Sequence, residues 1–268
     1  MSLTYYHFDT ANLTYTSGGG QQKVYQDNNT FQSIFQLSQP FHHPRKIYLK
    51  SVELPITFTN IRASNKTNTL TILNKGIVYN VLLPDKNYSN IQSLLSDINS
   101  QLSIQEPNVN HCPQFSVSGN NIVLSTPSPD YSPISVLGNS NLITQVLGFN
   151  QNIGNDFLQV NQSSDTNTMT SYSTFNLAYD TYINMYLSNV PSKSTSSNSQ
   201  IISFKLPMKD GFNGSIYYEQ ENTSFAQCLE ITDDRFILSF LNVQILDRFG
   251  FPISSNGSQW SFTLCVEG

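Results

Sequence analysis

The stretch Phe236–Glu267 constrains the rest of the chain most. It reads FILSFLNVQILDRFGFPISSNGSQWSFTLCVE, two apolar strands joined by a polar, glycine-containing connection. In the first strand Ile237, Leu241, Val243 and Ile245 fall on one face of a period-two pattern, and Phe236, Leu238, Phe240 and Leu246 on the other. In the second, Trp260, Phe262, Leu264 and Val266 alternate with Ser261, Thr263 and Cys265. The link holds Asp247, Gly250, Pro252, Asn256 and Gly257, residue types that end strands and accept turn dihedrals. Final residues usually fray. Here the alternation runs almost to the last residue, which predicts that this end is held in a sheet. From Asp247 to Gln259 the connection is too long for a two-residue turn, so the two strands are free to lie at opposite ends of a sandwich edge or in different sheets.

The remaining elements point the same way. Ile47–Ile61 (IYLKSVELPITFTNI) is a second strong strand, with Tyr48, Val52 and Leu54 on one side and Ile47 and Leu49 on the other, until Pro55 interrupts the ladder. Leu70–Leu73 and Ile77–Leu83 flank Asn74-Lys75-Gly76 and read as a hairpin. Phe115–Val117 and Ile122–Leu124 make another around Gly119-Asn120-Asn121. Shorter strands are expected within Phe31–Gln39, Phe175–Leu187, Ile201–Leu206, Ser215–Tyr218 and Leu229–Ile231. One helix is convincing: Ser89 as its cap, and Ile91, Leu94, Leu95, Ile98 and Leu102 as one apolar stripe. Leu142–Phe149 is a short helix candidate ending at Gly148. Many short strands with long, irregular connections predict an all-β sandwich of Greek-key or jelly-roll type.

Residues 1–30 are expected to form an extended N-terminal arm, jointed at Gly18-Gly19-Gly20 and dotted with Tyr5, Tyr6, Phe8 and Tyr15; a plain disordered tail is the other reading. Residues 31–268 are expected to be the folded domain, with a helix-containing insertion at about 85–150. Ser192–Ser199 reads as a serine-rich loop.

Composition decides what to exclude. Charged residues make up only 12% of the chain, net charge is −5 and the pI is about 5.2. A general nucleic-acid binder needs a basic stripe to release counterions, so no specific nucleic acid is expected as a partner. No window approaches the ~20 apolar residues of a membrane span, and MSLTYYHFDT has neither the basic nor the apolar part of a signal peptide. The odd, scattered cysteines Cys112, Cys228 and Cys265 fit free thiols in a reducing compartment. The eight N-x-[ST] sequons, the first at Asn12, are then accidents of an Asn/Ser/Thr-rich composition.

The search for chemistry ends without assigning a site. His42-His43 is the one local histidine cluster, but neighbours in an extended segment point to opposite sides. No His-x-His pair exists for a cupin-like metal site, and His111-Cys112 stands alone. Asp233-Asp234 follows a strand as a solvated turn does. There is no Gly-x-Ser-x-Gly elbow, and Gly18–Gly20 is followed by Gln rather than by the Lys-Ser/Thr of a phosphate loop. Tyr217, Tyr218 and Trp260 are candidates for a sugar-binding face, with core packing the better default at alternating positions. No catalytic, cofactor-binding or metal residue is assigned, no cofactor is expected, and nothing demands an enzyme.

Several passages taken together carry a resemblance. Ile47–Pro55 with Asn60-Ile61 resembles the first core strand of jelly-roll capsid proteins from virophages, polinton-like viruses and large double-stranded DNA viruses. Leu246–Gly250 followed by Trp260–Leu264 resembles their last strand pair. Tyr88-Ser89-Asn90-Ile91 leading to Leu94-Leu95 is similar to the element that they place after an early strand, and Leu147-Gly148-Phe149 to a signature that follows it. The resemblance covers about residues 45–267. Because 268 residues leave room for one jelly roll, it implies a single-jelly-roll penton, or minor capsid, protein. It also implies five copies at each fivefold vertex of an icosahedral shell, contacts with double-jelly-roll major capsid and other minor capsid proteins, and a place in the virion after assembly in the host cytoplasm or virus factory. A receptor- or carbohydrate-binding β-sandwich of a virion fibre or spike is the alternative, and a jelly-roll carbohydrate-active enzyme or binding module a third reading.

Overall fold

The computed structural model describes residues 3–11, 22–26, 30–131, 133–137, 140–149, 161–164, 166–178, 180–192, 203–211, 213–220 and 227–268. The chain divides into two compact units, one of Met1–Phe58 with Asp180–Gly268 and one of Thr59–Tyr179. The first unit opens with strands β1 (Leu3–Asp9), β2 (Gln22–Gln26), β3 (Gln32–His42) and β4 (Lys46–Pro55). The second holds β5 (Thr69–Asn74), β6 (Ile77–Leu82), helix α1 (Ile91–Gln105), β7 (Gln114–Ser118), β8 (Asn121–Ser125), β9 (Ile134–Leu137), β10 (Asn161–Ser164) and β11 (Thr168–Thr170). The first unit resumes with β12 (Tyr182–Leu187), β13 (Phe204–Pro207), β14 (Ser215–Glu219), β15 (Cys228–Glu230), β16 (Ile237–Leu246) and β17 (Ser261–Glu267).

Two antiparallel sheets make the first unit. One runs β1-β17-β4-β14, with β15 continuing the β14 side of β4; the other runs β13-β12-β16-β3-β2. Taking β1, β3, β4, β12, β13, β14, β16 and β17 as the first to eighth principal strands, the sheets read 1-8-3-6 and 2-7-4-5. That order is a single jelly roll, as expected. The expanded connection between its third and fourth strands is the second unit.

The two strands of Phe236–Glu267 lie in different sheets, β16 beside β3 and β12, β17 between β1 and β4. Asp247 organises the crossing. Its Oδ1 accepts from the N–H of Phe249 and of Phe251, both at 2.9 Å, its own N–H donates to Phe251 O at 2.8 Å, and Asn184 Nδ2 donates to its carbonyl at 3.0 Å. The chain turns at Gly250 (φ +89°), and Pro252 then forms a bridge with Leu246.

Inward residues of both sheets fill one core. Phe8 stacks on Phe262 with ring centroids 4.6 Å apart and meets Phe35 edge-on at 5.1 Å; Trp260 stacks on Phe262 at 5.1 Å and meets Phe31 edge-on at 6.3 Å. All five rings are buried. Offset and edge-on geometries suit the ring quadrupoles and add about 0.5–1.5 kcal/mol per pair beyond burial.

Three sequence expectations change. Residues 3–9, assigned to the arm over 1–30, are the first strand of the roll, hydrogen-bonded to β17 with Tyr6 and Phe8 buried. Residues 22–26 pair with β3, and the Gly18–Gly20 joint lies outside the described residues. The reason is local: in Leu3–Asp9, Tyr6 and Phe8 alternate with His7 and Asp9, a half-buried strand pattern. Next, Ile47, Leu49, Val52 and Leu54 all face the core rather than dividing between two sides. The β4–β17 register jumps from Ser51↔Thr263 to Leu49↔Leu264, leaving Lys50 as a bulge that resets the period of two. Likewise the β16–β3 register shifts between Leu238 and Phe240, so Leu238 is buried with Leu241, Val243 and Ile245 while Ile237 is exposed. Strict alternation fails wherever one residue is added.

The second unit runs from Thr59 to Tyr179, wider than the 85–150 insertion expected. Its sheets are β10-β9-β5-β6 and β11-β8-β7. The β5–β6 hairpin turns on Lys75 (φ +47°) and Gly76 (φ +79°), the positive-φ pair that matches strand twist. Helix α1 buries the expected stripe of Ile91, Leu94, Leu95, Ile98 and Leu102. Its cap is Asn90 rather than Ser89: Asn90 is extended, and its Oδ1 accepts from Ser93 N at 2.8 Å, whereas Ser89 is one residue too early to reach the first turn. The expected short helix is a π-helical turn, Leu142–Val146. Gly148 has φ +76°, and a Cβ there would lie 2.5 Å from the Ser173 carbonyl oxygen, so only glycine fits.

Helix α1 also closes two sheet edges. The Gln101 amide accepts from Leu82 N at 3.0 Å and donates to Leu82 O at 2.6 Å; Gln105 does the same at Asn80, at 3.0 and 2.7 Å. Asn99 serves Phe115 of β7 equally, at 2.8 and 2.9 Å. A side-chain amide presents the donor and acceptor of a missing strand.

In the second turn of α1, Asp97 accepts from Lys86 Nζ at 2.9 Å and from the Tyr88 hydroxyl at 2.7 Å. These bonds, Lys86's first, hold the Asp97 carboxyl below its ordinary value. Burial, then the bond to Asp97, pushes the Tyr88 phenol up. A depressed carboxyl stabilises above its ordinary value of 3.8 and loses that contribution as pH falls through its lower folded value. Asp97→Asn is therefore expected to flatten the acid limb of stability against pH, the deficit from the parent shrinking below pH ~4. The side chains of Lys86 and Asp97 are 50% and 39% exposed, so the deficit at neutral pH stays within about 1 kcal/mol. Denaturant titration from pH 2 to 7 measures it; an unchanged acid limb refutes the coupling.

Candidate assembly surface

Among the described residues no cluster of three or more His, Cys, Asp and Glu side chains is placed to hold a metal ion. His42 and His43 sit at the end of β3 with ring centroids 6.3 Å apart, and His43 Nδ1 is 2.7 Å from Asp234 O. Asp233 accepts from Arg235 N at 2.9 Å in an exposed turn, as the sequence suggests. Trp260 belongs to the core, Tyr218 packs partly against it, and Tyr217 is exposed. The proposed sugar-face trio is thus divided between inside and outside.

What the fold does bring together is the outward face of the first sheet. Pairing aligns Asp9, Ser261, Glu53 and Tyr217 in one cross-strand row, and His7, Thr263, Ser51 and Glu219 in the next. Then come Tyr5, Cys265, Tyr48 and Cys228, and finally Leu3, Glu267, Lys46 and Glu230. The rows hold their own bonds. His7 Nδ1 lies 3.0 Å from Thr263 Oγ1, the Tyr48 hydroxyl donates to Glu267 Oε2 at 2.8 Å, and the Tyr217 hydroxyl donates to the Glu219 carboxylate.

Each phenol is held protonated. Burial, then the bond to Glu267, pushes Tyr48 up; the bond to Glu219 raises Tyr217; the Cys265 thiol raises Tyr5. Burial pushes the thiols of Cys228 and Cys265 up in turn. Both cysteines are free and pair in register with Tyr48 from opposite sides. Two strand spacings, roughly 10 Å, separate them, beyond the reach of a disulfide.

At the Asp9 end of the face Asp9, Glu53, Pro55, Tyr217, Gln259 and Ser261 line an open cleft of about 480 Å³. Cys265 and Glu267 are buried within the face, which presents exposed rings and the carboxylates of Glu53 and Glu230. Tyr5 is 57% exposed, Tyr217 61% and Leu3 47%. Such a surface suits a broad hydrogen-bonded protein contact, where tyrosines carry much of the binding. Sequence reasoning missed these rows because it took β1 for an arm and because the Lys50 bulge hid which half of β4 faces out. The alternation within Leu3–Asp9 was the signal available.

No protein-family model matches the chain. No curated protein matches it either. Among solved structures it is similar to the crystal structure of the mavirus penton protein, at 12% sequence identity and a TM-score of 0.49, the match covering 98% of this chain and 99% of that one.

Proposed function

We propose that this chain is a structural capsid subunit, the penton capsomer that closes the fivefold vertices of an icosahedral shell. The observation that carries the reading is the 1-8-3-6 and 2-7-4-5 strand order of one jelly roll, in a chain whose residues 45–267 resemble single-jelly-roll vertex proteins. The outward face of the first sheet supports it by offering contact chemistry in place of a catalytic constellation. Five copies form the ring through a heterologous contact, which closes when its rotation divides a full turn. Double-jelly-roll major capsid proteins and other minor capsid proteins surround the ring. The protein resides in the virion after assembly in the host cytoplasm or virus factory.

Electron microscopy of virions with this chain labelled, and of shells made without it, tests the reading. The expected result is label at the vertices and shells open there when the chain is omitted. Label on spikes, with trimers in solution, would replace this function by that of a fibre head.

A further inference from the structure

The first sheet has two edges, and its hydrogen bonding shows which backbone groups they present. Thr10 N donates to Trp260 O at 3.0 Å, so the even-numbered residues of β1 bond to β17. The N–H and C=O groups of Leu3, Tyr5 and His7 therefore point away from the sheet. On the far edge Ile56 N donates to Gly214 O and Gln220 N to Lys50 O, both at 2.8 Å, so Gly214, Ile216, Tyr218 and Gln220 serve β4. Ser215, Tyr217 and Glu219 point outward. Among the described residues no strand or side chain takes up these six backbone positions.

Three other edges, those of β6, β7 and β13, are covered by side-chain amides. Gln101 and Gln105 cover β6, and Asn99 covers β7. In the first unit Gln227 accepts from Lys205 N and donates to Lys205 O, both at 2.6 Å, and so covers β13. An uncovered edge invites another strand, and folded proteins normally blunt it.

We propose that the β1 edge of one copy pairs with the β14 edge of the next, joining the first sheets into one continuous antiparallel ladder around the ring. This rests on the ring reading above and names its contact. Three antiparallel steps separate β1 from β14, so the two strands run in opposite directions within one sheet. Setting copies side by side therefore presents them antiparallel, with their outward side chains on one face. Each edge carries one outward carboxylate, Asp9 on β1 and Glu219 on β14, and a register that sets Glu219 opposite Leu3, Tyr5 or His7 keeps the two apart. Strand addition of this kind takes its affinity from the main chain.

Replacing Tyr5 by a benzophenone amino acid in the full-length chain tests the pairing in purified protein and in virions. Irradiation is expected to give a dimer product whose cross-linked peptide contains residues 213–220. Tyr217→Pro removes one outward N–H and no bond to β4, and is expected to reduce that product about tenfold or more. A folded Tyr217→Pro protein that still forms rings and cross-links at the parent level overturns the proposal, as does a cross-link to residues 3–9 or elsewhere while rings persist. If the unsubstituted protein forms rings in neither setting, the ring reading itself fails and takes this contact with it.

Discussion

Phe8→Ala is expected to destabilise the first unit by about 3–5 kcal/mol, the usual cost of emptying a buried aromatic site. Phe8 is 1% exposed and touches two further core rings at 4.6 and 5.1 Å. The vacated space cannot be refilled, because Phe262 and Phe35 are fixed by strands on opposite sheets. Thermal unfolding should begin on the order of 10 °C lower. Tyr5→Ala, two residues away on the outward side, should change stability by no more than about 0.5 kcal/mol. Chemical denaturation of both variants is the measurement. Equal, small effects would mean that Leu3–Asp9 is a detachable arm after all. On the strand reading, a chain lacking residues 1–20 loses a sheet member and fails to fold.

Asp247→Ala carries the second large effect. The side chain is fully buried and one oxygen receives two backbone N–H groups. Removing it leaves both donors without that acceptor, at about 1–3 kcal/mol each, for a total of roughly 2–6 kcal/mol. Asp247→Asn keeps an oxygen in place and should lose less than half as much. If the two substitutions cost the same, charge rather than hydrogen bonding shapes the crossing from β16 to β17.

The class of fold was legible in the sequence because alternation and turn chemistry are local. The two hairpins, the α1 stripe and the separation of β16 from β17 all follow from patterns within a dozen residues. What escaped depends on partners distant in sequence. Lys50 bulges against Thr263 and Leu264, more than two hundred positions away, and nothing in IYLKSVELP announces the reset. β1 looked like an arm because its triglycine neighbour outweighed its own short pattern. In the structure Asn99, Gln101, Gln105 and Gln227 commit their amides to the chain's own backbone, closing sheet edges.

The pairing of Leu3 with Glu267 has a consequence for synthesis. A ribosome adding about 5–20 residues per second delivers position 267 roughly 10 to 50 s after position 3. Throughout that interval β1 and β4 lack the strand that lies between them, and Phe8, Ile47 and Leu49 have no finished core to enter. The sheets of the second unit pair only residues between 69 and 170, so that unit is complete while the chain is still tethered. Newly made protein thus passes through a half-built state, a folded second unit carrying an open first one, in which chaperones and proteases compete for it. Only chains elongated past position 267 have a closed first sheet. The supply of folded protein is then set by how many chains survive that wait, and slower elongation between positions 170 and 267 should lower the yield.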